Sequence, residues 1–273
     1  MFKFEKKVAV VTGAGSGIGR SICMNLAKRG CLVIAGDISA EKALETANLS
    51  ENIEAKTIDV ADRQQVFDLA KSVHEQHGQI DMMFNNAGVT ISDSAADISY
   101  EDFKWLLDIN FWGVVHGSQA FLPYLKQSKE SFLINLSSVF GLVGIPGQAA
   151  YCASKFAVRG FTESLRLELS DTNVTTICVH PGGIKTDIAR NAKFNRGALG
   201  AENHEELIKN FDTLAITSPE QAATKIINAI IKKQERPRIG IDAKLMDYVQ
   251  RVMPASYYSL LGMLVKPRSK RQS

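Results

Sequence analysis

No stretch of this 273-residue chain is apolar for long enough to span a bilayer as a helix. Cysteine is sparse and unpatterned: Cys23, Cys31, Cys152 and Cys178 show no paired spacing, which argues against both a disulfide framework and a zinc site. Histidine is equally scattered. His74 and His77 share a helix face, but Lys71, Glu75 and Gln76 surround them in sequence, so a solvated surface is the simpler reading and no metal is expected. The formal net charge is only +3, too little to point to a nucleic-acid partner. Met-Phe-Lys-Phe-Glu-Lys-Lys runs straight into the first strand and leaves no room for a secretory signal, so a reduced, cytoplasmic location is expected. Before about residue 242 there is no linker, repeat or low-complexity run to divide the chain.

What the chain does carry is a tyrosine and a lysine four residues apart, Tyr151 and Lys155, thirteen and seventeen residues after Ser138. On a helix, positions i and i+4 share a face, so a phenol and an ammonium point into one space. A fixed cation favours the phenolate, and an unperturbed phenol pKa of about 10 is too high for proton transfer near neutral pH. Such a pair is one way to build a general acid for a carbonyl oxygen, or a base for an alcohol. Alone it proves little, because Tyr-x-x-x-Lys also arises on ordinary amphipathic helices.

The N-terminus adds a nucleotide signal. Val8–Val11 is a β-branched run, Thr12-Gly13-Ala14-Gly15-Ser16-Gly17-Ile18-Gly19 is a glycine cluster, and an apolar helical stretch follows to about Gly30. Glycine permits a tight turn and close backbone approach, and a helix start attracts phosphate. The spacing is G-x-x-x-G-x-G rather than G-x-G-x-x-G. A second apolar run, Cys31–Ala35, ends in Gly36-Asp37, where a carboxylate can accept from the adenosine ribose hydroxyls and repel a 2′-phosphate. NAD(H) is therefore expected over NADP(H).

Strand-like segments at 7–12, 31–36, 54–58, 80–84, 132–137, 174–180 and 238–241 alternate with helical ones at 17–29, 40–48, 62–77, 99–126, 150–170 and 218–233. This alternation predicts an α/β fold, a single Rossmann-like doubly wound parallel sheet of about seven strands with helices on both faces. The expected organisation is one domain over 1–242 and a C-terminal amphipathic extension over 243–273 that ends in a basic tail.

With these pieces in order, the chain resembles a short-chain dehydrogenase/reductase over roughly residues 5–242. The resemblance rests on Thr12-Gly-x-x-x-Gly-Ile-Gly19, Asp59-Val60, Asn85-Asn86-Ala87-Gly88, Asn110, Ser138, Tyr151-x-x-x-Lys155 and Pro181-Gly182 with Thr186. It implies a cofactor site of Gly13, Ser16, Gly17, Ile18, Gly19, Asp37, Asp59, Val60, Asn86, Ala87, Gly88, Tyr151, Lys155, Pro181, Ile184 and Thr186. Asp59 and Val60 would hold the adenine, and Ile184 and Thr186 the nicotinamide carboxamide. It implies Asn110, Ser138, Tyr151 and Lys155 as the catalytic residues, with Ser138 and Tyr151 on the substrate oxygen. Ser137 is the rival serine, but the thirteen-residue offset fits 138. Lys155 would lower the Tyr151 pKa and bind the nicotinamide ribose, and Asn110 would hold a water that links Lys155 to solvent.

The resemblance further implies a substrate lid over 188–216. Its Ile188, Ala189, Phe194, Leu199, Leu207 and Phe211 favour an apolar aliphatic, alicyclic or steroid-like alcohol or ketone, while Arg190, Lys193 and Arg196 leave open an anionic acyl thioester. Helices over 99–126 and 150–170 would pair two copies into a homodimer, with a tetramer as the other possibility. The extension is expected to pack on the pocket rim or a neighbour, a weak peripheral membrane contact being the alternative. The rival functions are a 3-oxoacyl thioester reductase and a non-catalytic NAD(H)-binding sensor or scaffold, the latter disfavoured by the complete Asn–Ser–Tyr–Lys set.

Overall fold

A computed structural model describes residues 2–195, 201 and 203–259. Strands β1 (Val8–Thr12), β2 (Leu32–Asp37), β3 (Ile53–Thr57), β4 (Met82–Asn85), β6 (Ser131–Leu136), β7 (Val174–Pro181) and β9 (Arg238–Ile239) form one sheet in the order β3-β2-β1-β4-β6-β7-β9. Every pairing in it is parallel. Strands β1, β4 and β6 are buried at every position, as a sheet covered on both faces demands of its central strands. A separate two-residue ladder joins β5 (Ile91–Ser92) to β8 (Lys193–Phe194).

Two hydrophobic cores lie on the two faces. Helices α1 (Gly17–Ala27) and α8 (Pro219–Ile231) cover one, packing Ile22 and Leu26 with Ile226, Ile227 and Ile230. Helices α3 (Arg63–His77), α5 (Gly113–Leu125) and α6 (Ala149–Glu168) cover the other with Val66, Leu69, Val73, Phe121, Leu125 and Leu165. Helix α2 (Ala40–Ala47) follows β2, and α4 (Tyr100–Leu107) precedes α5. The fold class is the one expected from sequence. Helix α8 starts on a capping box of Ser218 and Gln221. At α4 only half of such a box forms: Ser99 caps the Asp102 N–H, while the Asp102 carboxylate turns to Lys193.

Two elements differ from expectation. The segment read as one helix over 99–126 is α4 and α5 joined by a π-helical turn at Asp108–Trp112. The single extra residue in that turn is invisible to a 3.6-residue periodicity. The lid segment contains helix α7 (His204–Leu214), which packs Leu207 against Ala192, Ala201 and Phe194. Arg196 and Leu199 of the expected lid, and the tail from Leu260 onward, lie outside the described residues.

After β9 the chain turns at Gly240 (φ 109°) into helix α9 (Ile241–Val252). Its inner face is fixed by two acids. The Asp242 carboxylate accepts from the Gly183 N–H at 2.6 Å. Asp247, buried, receives Arg236 at 3.2 Å, Arg238 at 2.7 Å and Arg251 at 3.1 Å. Burial opposes the Asp247 charge, but the hydrogen bonds from Arg238 and Arg251 outweigh it and hold the carboxyl below its ordinary range. An Asp247→Asn variant removes that charge while leaving the guanidinium groups crowded together. Since Arg236 and Arg238 keep some solvent contact, a loss of about 2 kcal/mol is expected, below the range for fully buried pairs. Thermal unfolding should show it as a drop of about 4–8 °C.

Candidate active site

The C-terminal ends of β1, β2, β4 and β6 converge where the strand order reverses, between β1 and β4. In doubly wound sheets a ligand crevice opens at that point. Here the loop from Thr12 to the start of α1 forms its floor. Gly13 (φ 63°) takes a left-handed conformation, and a Cβ there would come within 2.8 Å of the Ala87 Cα. A Cβ at Gly19 would run into the Gly13 carbonyl. The Asn86 amide donates to the carbonyls of Thr12 at 2.8 Å and Gly13 at 3.1 Å, so the end of β4 holds the glycine turn in place. Ser16, ahead of α1, makes no side-chain cap, leaving the first-turn N–H groups for an anion.

One cavity is lined by Gly13, Ser16, Gly17, Ile18, Gly19, Asp37, Asp59, Val60, Asn86, Ala87, Gly88 and Thr186 together, twelve of the residues expected at the cofactor from sequence. Ile38, Val89 and Ile188 add apolar wall. The other four, Tyr151, Lys155, Pro181 and Ile184, do not line it; Pro181 ends β7, and buried Ile184 pairs with Thr217. At the β2 end, Asp37 accepts from the Gly15 N–H at 2.8 Å and the Ser39 N–H at 3.0 Å. These bonds fix the carboxylate and leave each oxygen a further lone pair for ribose hydroxyls. A glycine floor, open helix N–H groups and a carboxylate at the β2 end together fit a nicotinamide dinucleotide.

The four proposed catalytic side chains meet behind Gly88. Ser138 lies just past β6 and caps the short 3₁₀ turn Val139–Gly141, accepting from the Phe140 N–H at 3.1 Å. Its hydroxyl also lies close enough to the phenol of Tyr151 to lower that group's pKa. The rival Ser137 is turned away and donates to the Lys155 carbonyl at 2.8 Å. Lys155 is buried, its Nζ 5.7 Å from the Tyr151 ring centroid and 3.0 Å from the Leu136 carbonyl. A Cβ built on Gly88, which lines the cavity, would stand 3.4 Å from Nζ and 3.3 Å from the Asn110 Oδ1, so these two groups lie beside that part of the wall.

The electrostatics differ in one respect from expectation. Burial pushes the Tyr151 phenol up to about 12, against the lowering effect of the Ser138 hydrogen bond. Burial pulls Lys155 down to about 8. In a dry site each group is driven toward its neutral form, and that outweighs their mutual help. Asn110 sits at the centre of the π-helical turn, wholly buried. Its amide is tied to both Val89 backbone groups (2.8 and 2.9 Å) and to the Ser154 hydroxyl (3.2 Å).

A model of the short chain dehydrogenase family matches residues 7–197. SadH of Mycobacterium tuberculosis, an oxidoreductase candidate, is 41% identical over 269 residues, 96% of each chain. The 3-oxoacyl-[acyl-carrier-protein] reductase FabG of Thermotoga maritima is 34% identical over 209 residues, 72% of this chain and 85% of that one. A short-chain dehydrogenase/reductase of Burkholderia phymatum, solved in complex with NAD, superposes with a TM-score of 0.86 at 27% identity, covering 92% of this chain and 95% of its own. One of Burkholderia cenocepacia in complex with NADP gives 0.77 at 25% identity, covering 97% and 100%.

One functional-site neighbour escaped the sequence reading. His180, in β7 just before Pro181, is fully buried and donates from Nδ1 to the Ser138 carbonyl at 2.9 Å, while Nε2 meets no partner among the described residues. A scattered histidine carries no pattern, so only the pairing of β6 with β7 reveals it. Burial lowers its pKa to about 4; the Ser138 carbonyl opposes this, and the Arg236 and Arg159 charges add to it. The unfolded chain binds a proton at an ordinary value near 6.5, so it holds more protons than the native state between the two. Stability should be complete above about pH 6.5 and fall as pH drops toward 4, by up to about 3 kcal/mol. Denaturant titrations between these values should show the decline, and a His180→Gln variant should flatten it.

Proposed function

The chain belongs to the short-chain dehydrogenase/reductase family, and we propose that it is an NAD(H)-dependent oxidoreductase that interconverts a secondary alcohol and a ketone on an apolar substrate. It is an oxidoreductase by family; the cofactor preference, the substrate class and the residue roles are our reading. The observation that carries it is the buried Tyr151–Lys155 pair, Nζ 5.7 Å from the ring centroid, with Ser138 lowering the phenol pKa and Gly88 of the cavity wall beside Nζ. The bound nicotinamide supplies or accepts the hydride. Tyr151 gives its proton to the ketone oxygen in reduction and takes the hydroxyl proton in oxidation, while the Ser138 hydroxyl bonds the same oxygen and offsets its developing charge. Lys155 holds the ribose and returns Tyr151 to the required protonation state. Asp37 accepts from the adenosine ribose and disfavours a 2′-phosphate.

The apolar substrate rests on the walls. Val139, Leu142 and Val143 cluster with Phe140, Met246 and Tyr257 next to Ser138. Two of the three cations that left an anionic thioester open are already paired: Arg190 with Asp212 at 2.7 Å, and Lys193 with Asp102 at 2.7 Å over the Trp105 ring. A thioester carrier would have to break those pairs. The FabG relative keeps the second reading alive as a 3-oxoacyl reductase. The enzyme works as a cytoplasmic homodimer joined across α4, α5 and α6, a reading supported by Trp112, Phe156 and Leu167, which stay exposed there. The segment over 188–216 closes over the substrate.

A panel of apolar secondary alcohols and ketones, run with NAD(H) and NADP(H), tests the assignment. Tyr151→Phe should lower turnover about 10²–10⁴-fold with NADH binding nearly unchanged, as loss of a general acid requires; turnover at the wild-type rate would reject Tyr151. Asp37→Ser should narrow the ratio of kcat/KM for NADH over NADPH about tenfold or more, the scale of a lost hydrogen bond to a charged group. An unmoved ratio would dismiss the ribose contact.

A further inference from the structure

Helix α9 has a second apolar face. Its inner side packs Ala243 and Met246 on Val139, Leu142 and Val143. On the outer side Ile241, Leu245, Tyr248 and Val252 are 60–75% exposed. Their spacing of four, three and four residues puts them in one line along the helix. Isolated exposed apolar residues are ordinary on any protein, but four large ones aligned on a helix of twelve residues form a patch. Met253 and Tyr258 extend it past the helix end.

The charge around this face has one sign. Lys244 and Arg251, both exposed, border the stripe. Beyond Asp247 the sequence holds no acidic residue to its end, but carries Arg251, Lys266, Arg268, Lys270 and Arg271, of which the last four lie outside the described residues. The two acids of α9 are committed inward, Asp242 to Gly183 and Asp247 to the arginines. A second copy docked stripe to stripe would thus bring Lys244 of each copy together with no uncommitted carboxylate of α9 to meet it, Arg251 being held by Asp247. The occupant has to offer an apolar layer beneath negative charge. We infer that α9 lies on an anionic phospholipid surface, with its stripe at the boundary of headgroups and acyl chains and Tyr248 and Tyr258 at the headgroup level. The opposite face of the same helix carries Met246 of the apolar cluster beside Ser138, so the pocket rim stands about 10 Å, one helix diameter, from the lipid.

Co-sedimentation of the full chain with vesicles tests this. Binding to phosphatidylcholine–phosphatidylglycerol vesicles at low salt should exceed binding to phosphatidylcholine alone about tenfold or more, and salt should weaken it. A Leu245→Glu/Tyr248→Glu variant should lose about tenfold or more of that binding while keeping its melting temperature and NADH affinity. Should that variant unfold, Lys244→Glu should still reduce binding about fivefold or more. No binding to the anionic vesicles at low salt overturns the inference. So does wild-type binding by the folded double variant, which would leave only tail charge at work. A drop in oligomer mass on that substitution with vesicle binding intact would assign the stripe to a second copy and also overturn it.

Discussion

A single buried ammonium sets the terms for the rest of the site. Lys155 reaches the C-terminal edge of the sheet from α6 and finds one hydrogen bond among the described residues, the Leu136 carbonyl. An ammonium has three donors, and leaving two of them dry is costly. Gly88 of the cavity wall stands beside this ammonium, and a Cβ there would come within 3.4 Å of Nζ. The tilt of both pKa values toward the neutral forms has the same origin. A wet, exposed lysine would stay charged but would have no leverage over a neighbouring phenol.

Hydrogen bonds among buried polar side chains hold the elements around this cation in place. Asn85 donates to Asn135 at 2.8 Å, and Asn135 to Thr162 at 3.0 Å, so β4, β6 and α6 are cross-linked by buried polar side chains directly beneath the site. Asn110 does the same for the π-helical turn and the loop after β4. His180 fixes the Ser138 carbonyl from the other side. Buried networks of this kind rigidify an arrangement, and here they tie the ends of three adjacent strands to α6, with the Asn85 Oδ1 and His180 Nε2 left unpartnered among the described residues.

Much of this could be read from residues alone. The central strands are continuous β-branched and apolar runs, and the glycine turn, Asp37 and the Tyr–Lys pair announce themselves through spacing along the chain. Twelve cofactor positions come together in one cavity because they lie at strand C-terminal ends or in the loops and helix start that follow them, which the order of elements predicts. Other features depend on tertiary placement. The π-helical turn differs from α-helix by one hydrogen-bond step, His180 matters only through its neighbour across β6 and β7, and Asp242 through a loop fifty-nine residues earlier. The direction of the Tyr151 and Lys155 shifts also eluded sequence, since spacing reports which groups are near but not how dry they are. Arg190 and Lys193 read as free cations in sequence and prove to be paired across the lid.

The contact between Asp242 and Gly183 has a consequence for engineering. The carboxylate fills the space where a Gly182 side chain would lie and receives the next N–H, so the loop after β7 and the last helix are fitted to one another. A chimera that imports the terminal helix of a relative without its loop would strand that N–H or force the backbone aside. The two segments form one exchangeable cassette, and transplanting a new specificity into this scaffold means moving both.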